Sequence, residues 1–136
     1  MARLRYLLIL VTIVLISLTG CSKNHFTVGL GEVFTIGVGD SARIAGEDMT
    51  VTFNEVIGDS RCPQNVTCVW EGVASSNVTI VYRGENHSIV LNQPGLTEQA
   101  EHNFMNYTLT HSLHPYPREG EEISPNDYRL TLTITK

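Results

Sequence analysis

The eight residues Tyr128 to Thr135 alternate without a break. Tyr128, Leu130, Leu132 and Ile134 are apolar or aromatic, and Arg129, Thr131, Thr133 and Thr135 are polar. A period of two matches an extended strand, whose successive side chains point to opposite faces, and it fits no helix. Such a strand has one face for a core and one for water, so the chain must supply a second layer to cover it. The same pattern recurs upstream. Met49, Val51 and Phe53 share a face, as do Val78, Ile80 and Tyr82. Ser88 to Leu91 follows, and the intervening Arg83-Gly84-Glu85-Asn86 predicts a hairpin. Met105, Tyr107, Leu109, His111 and Leu113 line one side of a further strand, and Val33 to Val38 and Arg43 to Ala45 add two shorter ones. Gly, Pro, Asn and Asp separate the runs. Only Thr97 to His102, after Pro94-Gly95, has room for a helical turn. About seven short strands within residues 31–136 predict an all-β domain, a small antiparallel β-sandwich.

The beginning of the chain follows another logic. Arg3 and Arg5 precede an apolar run of 12 residues, Leu7 to Leu18, broken only by Thr12 and Ser17. A basic start, a short apolar stretch and a small residue at the cut site make a secretory signal. The run falls short of the roughly 20 apolar residues that span a bilayer. It ends in Leu18-Thr19-Gly20-Cys21, which resembles a bacterial lipobox, with all four residues in their places. The resemblance implies cleavage just before Cys21 and a diacylglyceryl group on its sulfur. An ordinary signal peptide, or an uncleaved anchor helix with Cys21 incidental, is the competing reading. The expected organisation is a cleaved signal peptide over 1–20, a lipidated N-terminus and tether over 21–30, and one domain over 31–136. The expected location is the cell membrane or outer membrane, facing outside the cytoplasm. Two or three acyl chains hold a protein firmly where one does not.

Charge narrows the partners. All 14 acidic residues and seven of the nine basic ones lie beyond residue 20, giving that part a formal charge of −7. Nucleic-acid affinity comes mainly from Lys and Arg neutralising phosphates, so no nucleic-acid partner is expected. Anionic headgroups offer the domain no attraction either, which leaves the lipid on Cys21 as its anchor. Removing residues 1–20 from 136 leaves 116, enough for one domain.

Cys62 and Cys68 remain. Export places them in an oxidising compartment, where nearby cysteines pair. Closing this short loop contributes about 2–2.5 kcal/mol in the chain-entropy model. The alternative, a thiolate metal site, lacks the second Cys or His pair of a closed zinc centre. The pair lies within Asp59-Ser60-Arg61-Cys62-Pro63-Gln64-Asn65-Val66-Thr67-Cys68-Val69-Trp70-Glu71-Gly72. This stretch resembles a D-S-R-C-P…C-x-W-x-G segment of small bacterial lipoproteins and secreted domains. The resemblance implies a domain type and no activity. Two roles fit the segment. It is a staple that compensates for a small core, with Trp70 over the bridge or core edge and Asp59 capping the loop or pairing with Arg61. Or it is a rigid loop presenting Arg61 and Trp70 to an envelope or extracellular protein, since Trp and Arg are typical interface anchors. An exposed Trp70 favours the second.

Other chemistry is sparse. His111 and His114 fall on opposite faces of one strand and, with His102, make a poor metal set. Asp40, Glu47 and Asp48 lie near turns without EF-hand spacing. No Gly-x-Ser-x-Gly, His-Glu-x-x-His or phosphate-binding glycine loop occurs. Four sequons, at Asn65, Asn77, Asn86 and Asn106, matter only where the source glycosylates exported proteins. The expectation is a lipid-anchored, non-enzymatic binding or envelope-structural domain needing no metal or cofactor. An inhibitor of an exported protease is the alternative, and a small hydrolase or metal-dependent enzyme comes third.

Overall fold

A computed structural model describes residues 24–136. Leu18, Thr19, Gly20 and Cys21 lie outside the described residues. Among the described residues there are nine strands: β1 His25–Val28, β2 Val33–Gly37, β3 Ser41–Ile44, β4 Met49–Asp59, β5 Val73–Tyr82, β6 Glu85–Pro94, β7 Ala100–Phe104, β8 Tyr107–His114 and β9 Arg129–Thr135. They form two sheets, ordered β1-β3-β4-β5-β6 and β2-β9-β8-β7. Each sheet turns one face inward. Met49, Val51 and Phe53 of β4, Val78 and Ile80 of β5, and Leu91 of β6 meet Phe34, Ile36, Leu109, Leu113, Leu130, Leu132 and Ile134 in one apolar core. The alternating runs therefore occupy the faces expected of them, and the architecture is an all-β sandwich.

Two strands exceed the expected seven. β7 takes part of the stretch where a helical turn was expected. Thr97 to His102 has helix-compatible residues, but Phe104 must be buried against Tyr107, and pairing with β8 overrides local preference. β1 takes His25–Val28 out of the expected tether. It is an edge strand with little apolar burial, so no alternation marks it, and it pairs parallel to β3 in a sheet whose other pairs are antiparallel. Phe26 ties it to the second sheet by an edge-to-face contact with Phe34, centroids 6.3 Å apart. The Arg83-Gly84 hairpin turn has both residues at positive φ, the primed geometry that suits the strand twist. Met105, expected inward, instead occupies the β7–β8 turn at φ 55° and is 64% exposed.

The register fixes the direction of every strand. Met49 pairs with Tyr82 at one end of the sandwich, and Asp59 pairs with Ala74 at the other. In β1, His25 lies beside Ser41 and Val28 beside Ile44, while Ser41 lies beside Thr52 and Ile44 beside Met49. The chain therefore enters β1 from the side of the Asp59 end.

Candidate functional site

The Asp59 end holds most of the domain's buried polar chemistry. β4 runs out of apolar residues at Gly58-Asp59, and the chain loops through residues 60–72 before β5. A narrow neck closes the loop: Ser60 N–H donates to Val73 O (2.9 Å), and Cys62 N–H to Glu71 O (2.9 Å). The neck is packed backbone to backbone. A Cβ on Gly72, whose φ is +72°, would lie 1.8 Å from Ser60 O, and one on Gly95 would lie 1.9 Å from Glu71 O. Gly95 N–H also donates to Gly72 O (3.1 Å), so the loop after β6 stacks on the neck.

Arg61 locks this assembly to the second sheet. Its Nε donates to Asp59 Oδ1 (2.8 Å) and its Nη2 to Asp59 Oδ2 (2.6 Å), a bidentate pair. Nη1 donates to Leu113 O (2.8 Å) and Nη2 also to Pro115 O (3.0 Å). The guanidinium lies 4.7 Å from the centre of the Tyr116 ring, and the Tyr116 hydroxyl donates to Gly95 O. Tyr128 O–H reaches Asp59 Oδ2 at 3.3 Å, and burial, ahead of the adjacent carboxylate, raises its pKa above the ordinary value. Arg61 is 2% exposed. It is thus an internal clamp, which corrects its expected role as a partner-facing residue: its five donors suit it to a buried carboxylate and carbonyls better than to open solvent. Asp59 takes the pairing role.

Beyond the neck the loop is closed a second time by the Cys62–Cys68 disulfide, with Cα atoms 6.0 Å apart. Gln64 N–H donates to Pro117 O (3.0 Å), tying the loop to the segment after β8. Residues 64–71 are all exposed. Val69 is 95% exposed and Trp70 77%, so Trp70 does not cover the bridge or the core edge. The reason is geometric: the Cys62–Glu71 hydrogen bond leaves residues 63–70 as a loop outside both sheets, with no strand to pack the Trp70 ring against the core. Leu96, on the stacked loop, is 80% exposed. From Pro63 to Trp70 no side chain carries a charge.

A cleft of about 500 Å³ opens beside this loop, lined by Gln64, Gln93, Leu96, Ser112, His114 and Tyr116 among others. Gln93 is committed to structure, since its Oε1 accepts Leu113 N–H (2.7 Å) and its Nε2 donates to Thr97 O and Glu98 O. Ser112 Oγ lies 3.3 Å from His114 Nε2. Among the described residues no carboxylate hydrogen-bonds to His114, so the pair has no third group to orient the imidazole as a nucleophile's base requires.

The remaining candidates stay apart. Among the described residues no three His, Cys, Asp or Glu side chains converge as a metal set. Asp40 accepts from Gly37 N–H and Asn24 N–H. Glu47 accepts from Tyr107 O–H and Lys136 Nζ, and these bonds, Tyr107's first, hold its carboxyl below the usual range. Asp48 is exposed, as are the sequon residues Asn65, Asn86 and Asn106, while the Asn77 side chain accepts from Ser88. His114 is exposed and His111 buried, on opposite faces of β8 as the spacing predicts.

His111 has a consequence for stability. Its Nε2 is buried without a hydrogen-bond partner, and burial, with a smaller contribution from His102, lowers its pKa from 6.5 to about 4. Between those values the unfolded chain binds a proton that the folded chain refuses. Stability is therefore full above the unfolded value and falls as pH drops through this window, by about 2 kcal/mol between pH 7.5 and pH 5. Urea unfolding at the two pH values measures this fall, and His111→Leu is expected to lack it. An equal fall in the variant would assign the dependence to other groups.

Comparison of the chain with protein-family models, with curated proteins and with solved structures gives no match. What fold and site define is a class of architecture. It is a two-sheet β-sandwich with a buried Arg–Asp clamp, bearing a disulfide-closed loop of uncharged residues on which Val69 and Trp70 are exposed.

Proposed function

We propose that this protein is a lipid-anchored, extracytoplasmic, non-enzymatic domain that works by contact, through the loop closed by Cys62 and Cys68. The observation that carries this reading is the exposure of Val69 and Trp70 on a loop tied down by a disulfide and by backbone hydrogen bonds at its neck. Tryptophan is costly to leave in water, and burying its large apolar surface against a partner is strongly favourable. Rigidity adds to this, because a pre-ordered loop loses little conformational entropy on contact. The clamp residues support the tip and do not form it. The neighbouring cleft lacks a complete set of groups for acyl transfer, and its best-placed amide, Gln93, is engaged internally.

Two measurements in intact cells test the reading. Cys21→Ser is expected to release the protein from membranes or leave it unprocessed; a variant cut and membrane-bound as before would remove the lipid anchor from the proposal. A photoreactive side chain in place of Val69 is expected to give adducts, to protein or to lipid. The same group at Asn86, exposed on the opposite hairpin, is expected to give none. Equal labelling at both positions, or none at either, would refute contact through the loop.

A further inference from the structure

We propose that the surface met by Val69 and Trp70 is the membrane itself, with the loop tip seated in the headgroup–acyl boundary as a second, non-covalent anchor. The inference rests on the lipid at Cys21 and on contact through the loop, and it names the contact partner.

Direction is the first argument. Because β1 runs parallel to β3, Asn24 and the N-terminal start of β1 face the Asp59 end, the end that carries the loop. An anchor at the N-terminus therefore turns that end, and not the Arg83-Gly84 hairpin, to the bilayer.

Length is the second. Asn24 is fixed to the domain: its N–H donates to Asp40 Oδ1 (3.2 Å), and its carbonyl accepts from Ser41 N–H (3.1 Å). Only Ser22 and Lys23 separate it from Cys21. At about 3.5 Å per residue, Cys21 stays within roughly 10 Å of Asn24. Along the sheet, the level of His25 is that of Thr52 and Thr79, and Ala74 lies five residues further on, about 17 Å. The loop thus projects past the attachment point on the membrane side, by more than the tether can stand off. A bilayer holding the acyl chains of Cys21 meets the loop end.

Chemistry is the third. Residues 63–70 carry no charge, Val69 and Trp70 are the most exposed apolar side chains of the loop, beside exposed Gln64, Asn65, Thr67 and Glu71, and Leu96 adds apolar surface on the stacked loop. Tryptophan concentrates at membrane–water boundaries, where its ring is half in each phase. With a formal charge of −7 beyond residue 20, and with Glu119, Glu121 and Glu122 exposed on the segment that Gln64 contacts, the domain has no electrostatic pull towards anionic lipid, so the proposed seating is apolar and confined to Val69 and Trp70.

Trp70 is the chain's single tryptophan, so intrinsic emission reports the tip alone. The processed lipoprotein is reconstituted into phosphatidylcholine vesicles, with N-acetyltryptophanamide in buffer as reference. The expected result is emission shifted to shorter wavelength, and loss of intensity with lipids brominated near the headgroup end of the acyl chain, less with bromine near the methyl end. Protein that sediments with vesicles yet emits like the reference and is not quenched overturns the inference and leaves the anchor standing. If adducts from position 69 in cells are then to protein, the contact partner is a protein. Protein that does not sediment with vesicles overturns the lipid anchor, and this inference with it.

Discussion

Arg61→Ala is expected to lower the unfolding free energy by about 3–5 kcal/mol, the cost of leaving a buried charge without its partner. That is a large part of what holds a small domain folded. The loss has identifiable parts. Asp59, whose side chain is 6% exposed, would keep a carboxylate with no guanidinium. Leu113 O and Pro115 O would each lose a donor, and Tyr116 the cation over its ring. Arg61→Lys is expected to recover less than half, because an ammonium cannot match the planar fork to Asp59 and reach both carbonyls. Urea unfolding near pH 7 measures both variants. A midpoint for Arg61→Ala within error of the parent would show that the two sheets are held at this end without the clamp.

Gly72→Ala is the second large effect. The added carbon would sit 1.8 Å from Ser60 O and 2.5 Å from Ser60 C, and both are backbone atoms that no rotamer change can move. The residue also sits at φ +72°, which alanine tolerates poorly. Together these are expected to cost about 3–4 kcal/mol. Two further glycines separate the causes. Gly84 has φ +82° with nothing within 4 Å, so Gly84→Ala isolates the backbone term, about 1–2 kcal/mol. A Cβ on Gly95 meets Glu71 O at 1.9 Å with no positive φ, so Gly95→Ala isolates the contact. Denaturation midpoints ranked Gly84→Ala, then Gly95→Ala, then Gly72→Ala in increasing damage would support the tight neck. Equal midpoints for Gly72→Ala and Gly84→Ala would contradict it.

The core was legible because period two is a direct record of which face is buried. Tyr128 to Ile134, Met49 to Phe53 and Val78 to Ile80 carry it openly. β1 was not, because an edge strand with one partly buried residue, Val28, leaves no alternation to read. The site divides in the same way. Asp59 and Arg61 are two apart at the end of a strand, a spacing that puts both on one face, so their pairing could be anticipated. That Arg61 points inward could not, because its acceptors Leu113 O and Pro115 O are more than 50 residues away in sequence. Nothing near Gly72 in sequence marks it as tight, because its constraint comes from the backbone of Ser60, 12 residues earlier. Trp70 ran the other way: composition argues for burying a tryptophan, yet on a loop outside both sheets it is left 77% exposed.

The direction of β1 also decides how the domain carries load. A pull on the N-terminal segment towards the Asp59 end acts along the axis of β1, because His25 leads that strand and β1 points away from the pull. Its ladder to β3 is then strained in shear, with the bonds sharing the force, and the Phe26–Phe34 contact resists the same sliding. An antiparallel β1 entering from the hairpin end would be peeled by the same pull, one bond at a time. The β1–β3 ladder thus meets a load applied at the N-terminus in shear and not by peeling.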